Sequence, residues 1–256
     1  SIDLDLEAGK VAVLMGANGA GKSTLVKILC GVHQADSGSI ELFDQAFKPQ
    51  KPVDAFKEGV VTVHQSINDG VVPDLDVASN LMLDRLTEKE FGLFINQKVL
   101  KINAKAIAET MGISINVEIP VSELGVADRQ LIAIARAMAR MPKVLILDEP
   151  TSSLSSAEAD QLFTVLKKLR KMNVAILYIS HRMSDIRRIA DNIITMRDGK
   201  ISGQFSEKPL DYEAAVTAMI GHKMTEVDVE TVSKGEIILE FKNVKFVMHH
   251  THDQLK

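Results

Sequence analysis

The chain has 256 residues, of which 46% are hydrophobic, enough to bury the core of one large domain with or without a subdomain. Its formal net charge is −4, so the chain lacks the strong positive charge typical of nucleic-acid-binding proteins. No apolar run reaches the roughly 18 residues that span a bilayer. The one cysteine, Cys30, excludes a disulfide framework and favours a reducing compartment.

A strand, a glycine-rich loop and a helix follow one another near the start of the chain. The N-terminal stretch SIDLDLEAGK lacks a signal-peptide pattern and enters the fold almost at once, so we expect that upstream residues are missing. Lys10 to Met15 predicts a buried strand, and Thr24 to Leu29 the start of a helix. The loop between them matches the phosphate-binding pattern G-x-x-x-x-G-K-[ST]. Its residues are Gly16, Ala17, Asn18, Gly19, Ala20, Gly21, Lys22, Ser23 and Thr24.

These residue types suit a bound nucleoside triphosphate. Glycines let backbone N–H groups approach phosphate oxygens, and the following helix N-terminus favours an anion. Lys22 can reach the β- and γ-phosphates, the Ser23 hydroxyl can ligate Mg²⁺, and Thr24 can contact the α-phosphate. The alternative is a glycine loop that only turns the chain, but the flanking strand and helix favour a phosphate loop.

Further along the chain, short β-type runs alternate with helical patterns, which predicts an α/β fold with a largely parallel sheet. The strand runs are GSIELF, GVVTVHQ, VLILDEP, VAILYISH and NIITMRDGKI. Helices are predicted from Ala157 to Met172 and from Met183 to Ile189. Asp76 to about Pro142 contains no convincing strand and predicts a helical insertion. The polar stretch Lys223 to Lys234 predicts a linker.

Polar residues stand at the ends of several predicted strands. Asp148 ends VLILD, where a Mg²⁺ partner for the phosphate loop belongs, and Glu149 follows it, placed to polarise an attacking water. His181 stands at the end of the next apolar strand, at the same sheet edge as Asp148, which favours contact with the γ-phosphate over a histidine without a role. In VVTVHQS, Gln65 likewise comes after a strand, and its neutral amide suits contact with both Mg²⁺ and water. Asp-Glu-Pro could instead only end a strand, but the upstream phosphate loop favours the catalytic interpretation.

Leu124 to Gln130 predicts a glycine-containing loop, and an amphipathic helix then leads into VLILD. Together these motifs, from about Ser1 to Met224, resemble the nucleotide-binding domain of an ABC transporter. The resemblance implies that GANGAGKST is the Walker A loop and VLILD the Walker B strand. It implies that Glu149 and His181 are catalytic, with Gln65 as the Q-loop glutamine and a metal contact. The family's signature loop, Leu-Ser-Gly-Gly-Gln, aligns on Leu124, Gly125, Val126, Ala127 and Asp128.

The resemblance also implies the architecture. We expect an α/β, RecA-like P-loop NTPase core with a mostly parallel sheet, an antiparallel β portion and a helical signature subdomain. The expected parts are the ATP-binding core at residues 1–75 and 136–222, the helical subdomain at 76–135, the linker at 223–234 and the start of a second ATPase domain at 235–256.

The stretches LVKILCGVHQADSGSI, VVPDLDVASNLML and LDYEAAVTAMIGHK resemble the ATPases of bacterial monosaccharide importers of the ribose and galactose type. Those proteins usually carry two ATPase domains in one chain, and GEIILEFKNVKF looks like the first strand of a second one. The resemblance therefore implies the N-terminal half of a tandem ATPase that uses ATP and Mg²⁺. Its implied partners are a second ATPase domain, in tandem or as a dimer, integral membrane permease subunits and, indirectly, a solute-binding protein, without nucleic acid. Its implied position is peripheral, at the cytoplasmic face of the cell's inner membrane.

Three departures from the family stand out. We find no N-terminal aromatic residue to stack on adenine, the Ser-Ala-Leu-Asp D-loop is Ser152 to Ser155 without a carboxylate, and Gly125 replaces the signature serine.

Two other classes of protein share the phosphate loop. A soluble ABC-type ATPase without a membrane partner would carry a long coiled-coil insertion or strongly basic segments, and this chain shows neither. A nucleotide kinase would not require Glu149, His181 and the signature-like loop.

Overall fold

A computed structural model describes residues 2–63, 70–86, 96–139 and 141–221, apart from the side chains of residues 85 and 86. Gln65, the predicted linker and residues 235–256 lie outside the described residues. The described strands, β1 to β8, span Val11–Gly16, Glu41–Leu42, Gln45–Ala46, Val60–Val63, Val144–Asp148, Ala175–Ile179, Asn192–Arg197 and Lys200–Phe205. The described α-helices, α1 to α8, span Lys22–Leu29, Pro52–Glu58, Val77–Leu86, Gln97–Met111, Val126–Met138, Ser156–Lys171, Met183–Ile189 and Tyr212–Ile220.

The main sheet has the strand order β4-β5-β6-β1-β7-β8. Neighbouring strands from β4 to β7 run parallel, and only the β7–β8 pair is antiparallel. The strands β2 and β3 form a separate antiparallel pair. The predicted mostly parallel α/β fold with an antiparallel portion is therefore confirmed.

The central strands are apolar because both of their faces are covered. Every residue of β1 and β6 is buried. Along β1, Val11, Val13 and Met15 pack into a core cluster that includes residues of α5 and α6, whereas Ala12 and Leu14 pack into one that includes residues of α1 and α2. The sheet therefore lies between two helical layers, as continuous hydrophobic strands require.

Two predicted strand runs are interrupted by tight turns. GSIELF contributes only Glu41–Leu42, which pairs back on Gln45–Ala46 through two residues with positive φ, Phe43 and Asp44. NIITMRDGKI divides into β7 and β8 at a second turn of this kind, through Asp198 and Gly199. Two consecutive left-handed residues reverse a chain with the twist that hairpins favour.

The described residues in the middle of the chain are mostly helical, as the sequence predicts for this stretch. Residues 76–86 and 96–139 contain no strand and are dominated by α3, α4 and α5. The buried positions of α4 recur at helical spacing: Leu100, Ala104, Ala108 and Met111. Arg136 of α5 binds Asp84 of α3 through two hydrogen bonds of 2.7 and 2.9 Å, which ties these helices together. Across the described part of the chain, we find no helix with the length and apolar character needed to cross a bilayer.

The predicted loop from Leu124 to Gln130 is wrong beyond its second residue. Gly125 is the extended N-cap of α5, with φ −66° and ψ 166°, and the helix begins at Val126. Asp128 lies in the first turn, where the helix dipole favours a negative charge. Gln130 is buried on the inner face of the helix. Three of the five residues aligned with the signature loop are therefore helical.

Candidate functional site

The glycine-rich loop leaves the centre of the sheet, between β1 and α1. Gly19 and Gly21 have φ of 82° and 102°, in the left-handed region that favours glycine. At Gly16 the restriction is steric, because an added Cβ would lie 2.8 Å from the carbonyl oxygen of Met196. The three glycines therefore permit this loop shape.

Lys22 folds back over the loop. Its Nζ donates to the carbonyl oxygens of Gly16 at 2.6 Å and Ala17 at 3.1 Å. The next two residues, Ser23 and Thr24, are exposed in the first turn of α1. An ammonium group, two hydroxyls and a helix N-terminus thus face the same space.

That space is a cavity of about 390 Å³. Its lining residues are Asn18, Gly19, Ala20, Gly21, Lys22, Ser23, Thr24, Asp148 and Glu149. No cluster of three or more His, Cys, Asp or Glu side chains able to hold a metal occurs among the described residues. A Mg²⁺ ion here would be held by a carboxylate, a hydroxyl and the oxygens of a bound phosphate compound, which is how proteins usually coordinate Mg²⁺ with phosphates. The lining groups therefore fit a polyphosphate with its divalent cation.

The strand order brings the predicted acidic residues and histidine beside the loop. Asp148 ends β5 opposite Ile179 of β6, and β6 lies next to β1. Glu149 adopts φ 47°, unusual for a residue with a side chain, and its N–H donates to the Ile179 carbonyl at 2.9 Å. Its Oε1 lies 3.0 Å from Nδ1 of His181. The backbone turn at Glu149 therefore directs its carboxylate to both the cavity and His181.

The aligned signature residues lie elsewhere. In the described chain the cavity lining contains none of the residues from Leu124 to Asp128. Asp128 instead lines a second groove, between α5, α6 and residues 112–115. Gln65 lies outside the described residues, so its predicted contacts remain a prediction.

Arg129 is a further residue beside the signature-aligned loop, and the sequence pattern did not indicate it. Its Nε donates to the carbonyls of Val121 and Leu124 at 3.1 and 3.0 Å, and its Nη2 donates to that of Ser122 at 2.8 Å. These bonds hold the loop that enters Gly125. A charged residue in a helical pattern gives no sequence signal for such backbone contacts.

The sequence pattern also did not indicate a cluster of buried polar side chains near Glu149 and His181. Thr151, Tyr178 and Asp185 are each at most 3% exposed and are joined by hydrogen bonds. Burial raises the pKa of Tyr178 above its ordinary value, so its hydroxyl stays protonated. Apolar-strand patterns describe Tyr178 well but say nothing of its partners.

Comparison with known proteins gives three consistent findings. The family model described as "ABC transporter" matches residues 1–152. The ribose import ATP-binding protein RbsA of Caldanaerobacter subterraneus is 39% identical over 245 residues, covering 95% of this chain and 49% of the relative. A putative ribose/galactose/methyl galactoside import ATP-binding protein of Burkholderia cenocepacia is 38% identical over 245 residues, covering 94% and 47%. The chain spans about half the length of these curated relatives.

Among solved structures, the fold is similar to the ADP conformation of an ATP-binding cassette of an ABC transporter, with a TM-score of 0.72 and 22% identity. The similarity covers 86% of this chain and 91% of that one. A nucleotide-free ATP-binding cassette from an ABC transporter gives a TM-score of 0.71 at 21% identity, covering 85% and 87%. These matches establish the fold.

Proposed function

The chain belongs to the ABC transporter family, and from that membership we propose that it binds and hydrolyses ATP to power an importer of a sugar or related small solute. The relatives named above as ribose and galactoside import proteins support the solute class. The observation that carries the proposal is the 3.0 Å pairing of Glu149 with His181 beside the phosphate-loop cavity.

ATP would occupy the cavity with its phosphates against the loop. The backbone N–H groups from Gly16 to Thr24 and the dipole of α1 favour the anion. Lys22 would exchange its two carbonyl contacts for phosphate oxygens, a stronger pairing of opposite charges. Ser23 and Asp148 would hold Mg²⁺, and Gln65 would complete that contact. When bound, the ion neutralises charge on the phosphates.

Glu149 and His181 have separate roles in this proposal. The Glu149 carboxylate accepts a proton from the attacking water, as a general base. His181 contacts the γ-phosphate through one ring nitrogen and fixes the carboxylate through the bond of the other, Nδ1, to Glu149. The side chain of Glu149 is only 22% exposed whereas that of His181 is 66% exposed, so Glu149 is held in the cavity wall and His181 reaches out from it.

The signature residues would act on a different ATP molecule. Since the residues from Leu124 to Asp128 lie away from the cavity, we assign them to the site of a second ATPase domain, in tandem or in a dimer. We divide the chain into a core at residues 1–75 and 136–222, a helical subdomain at 76–135, a linker at 223–234 and the start of that second domain at 235–256. The assembly would bind permease subunits at the cytoplasmic face of the membrane, and through them respond to a solute-binding protein.

Reconstitution tests this function. The protein is purified with a candidate permease and placed in vesicles with a candidate solute-binding protein. We expect ATP hydrolysis to rise when binding protein loaded with a pentose or hexose is added, and to stay low with unloaded binding protein. A rate of ATP hydrolysis that is the same with and without the permease and the sugar would contradict the import function and favour a soluble ATPase.

A further inference from the structure

We propose that Asp185 is a positioning residue, whose buried carboxylate fixes the turn after Glu149 against the loop that carries His181. The inference rests on the proposed function, because that function assigns to Glu149 and His181 their action on ATP. Asp185 itself acts through Thr151.

The carboxylate of Asp185 gathers three hydroxyl groups. Its Oδ2 accepts hydrogen bonds from Thr151 Oγ1 and, at 3.3 Å, from the Tyr178 hydroxyl. Its Oδ1 accepts from Ser184 Oγ at 3.1 Å. Asp185 is 3% exposed and Thr151 is 1% exposed. A buried carboxylate is costly unless it is well hydrogen-bonded, and these hydroxyls supply the bonds.

Arg182 joins the same two segments a second time. Its Nη1 donates to the carbonyl of Thr151, and its backbone N–H donates to Ser180 Oγ at 3.0 Å. Arg182 directly follows His181, and Thr151 lies two residues after Glu149. The neighbours of both reacting side chains are thus linked through the side chain and the backbone of Thr151.

The turn anchored by Thr151 is itself closed by backbone bonds. The N–H of Ser152 donates to the Glu149 carbonyl at 3.1 Å, and that of Leu154 to the Thr151 carbonyl at 3.1 Å. Any shift of Thr151 is therefore passed to Glu149. Because the side chain of His181 is 66% exposed, packing restrains it little and the fixed backbone on both sides sets its distance to Glu149.

The perturbation that tests this is Thr151→Val, which keeps the buried shape and removes the hydroxyl. Thr195→Val is a matched control, since Thr195 is also fully buried and bonds Ser202 Oγ at 2.9 Å in the β7–β8 hairpin. Thr151 Oγ1 bonds Asp185 and Tyr178, and Thr195 Oγ1 bonds Ser202 and the Gly203 carbonyl, so each variant loses two hydrogen bonds. Thr151→Val should lose more stability, because one of its partners is a carboxylate, so both variants are assayed at a temperature where both are folded. Thr151→Ser restores the hydroxyl and serves as the rescue.

The first readout needs no hydrolysis. In two-dimensional NMR spectra of the 256-residue chain, the ring C–H resonances of His181, assigned with His181→Gln, should move in Thr151→Val. They should stay in place in Thr195→Val and return in Thr151→Ser. Asp185→Asn, which keeps the shape of Asp185, should move them in the same way. Unmoved His181 resonances in Thr151→Val would overturn the proposal, whether or not the protein hydrolyses ATP.

The second readout is ATP hydrolysis by the assembled transporter. We expect Thr151→Val to lower kcat about tenfold or more while the KM for ATP changes less than about twofold, because misplacement affects the reacting groups more than phosphate binding. Thr195→Val should change neither. An equal loss of kcat in both valine variants would contradict the positioning role of Asp185 and would indicate a general effect of lost stability. A wild-type protein that hydrolyses no ATP but shows the NMR changes would contradict the proposed function alone.

Discussion

Replacing Gly125 tests whether the two ATP sites of the proposed assembly are unequal. At the family's signature position a serine hydroxyl would donate to the γ-phosphate held by the opposite domain, and Gly125 lacks it. The site can accept the hydroxyl without strain. Its φ of −66° is ordinary for any residue, and an added Cβ meets no atom within 4 Å.

The magnitude follows from one hydrogen bond. A bond to a charged group contributes about 1.5–3 kcal/mol, which is roughly 10- to 150-fold in affinity. Gly125→Ser should therefore tighten ATP binding at the site that this loop completes and raise hydrolysis there. Gly125→Ala is the matched control, because it adds the same Cβ without the hydroxyl.

The assay is equilibrium ATP binding and steady-state hydrolysis in the full transporter, with thermal unfolding as a check. Serine is also the better N-cap, by a few tenths of a kcal/mol over glycine and about 1 kcal/mol over alanine. Unfolding temperatures should therefore rank serine, glycine, alanine. If ATP affinity and turnover are the same in the serine and alanine variants, backbone contacts suffice to bind the γ-phosphate. The missing hydroxyl of Gly125 then does not make the two ATP sites unequal.

Two further predictions concern charge. Lys22→Ala should weaken ATP binding at least about tenfold, because it removes a contact between opposite charges. Lys27→Ala, in the last turn of the same helix, should leave ATP affinity unchanged. Equal ATP affinities of the two variants, measured by calorimetry, would contradict the role of Lys22. Hydrogen bonds from Ser155 lower the pKa of Glu158, so its contribution to stability is present at neutral pH and lost as pH falls below the ordinary value of about 4.3. The stability difference between wild type and Glu158→Gln, measured by urea unfolding, should therefore shrink in acid, and a constant difference would refute the assignment.

The sequence predicted the parts of the site that depend on local pattern. The apolar run from Val11 to Met15 and the glycines after it define a strand and a loop within a dozen residues. Asp148 and His181 could be placed at one sheet edge because each ends a continuous apolar strand, and parallel neighbouring strands share that edge. The confirmed fold follows from the same alternation of strands and helices.

What the sequence did not predict depends on backbone detail or long-range contacts. The start of α5 was misplaced because Gly125 serves as its N-cap, and glycine signals a loop more readily than a helix start. The left-handed backbone of Glu149 follows from the bond of its N–H to β6. Thr151 and Asp185 lie 34 residues apart, in different elements, and no periodicity links them.

The role of Glu149 as the general base is tested by measuring ATP hydrolysis by Glu149→Gln in the assembled transporter. Glutamine keeps the shape of the side chain and can still bond to His181, but it does not accept the proton of the attacking water. We expect ATP and Mg²⁺ to bind with nearly wild-type affinity and hydrolysis to fall at least ~10²-fold. Near-normal turnover by this variant would contradict the assignment of Glu149 as the general base.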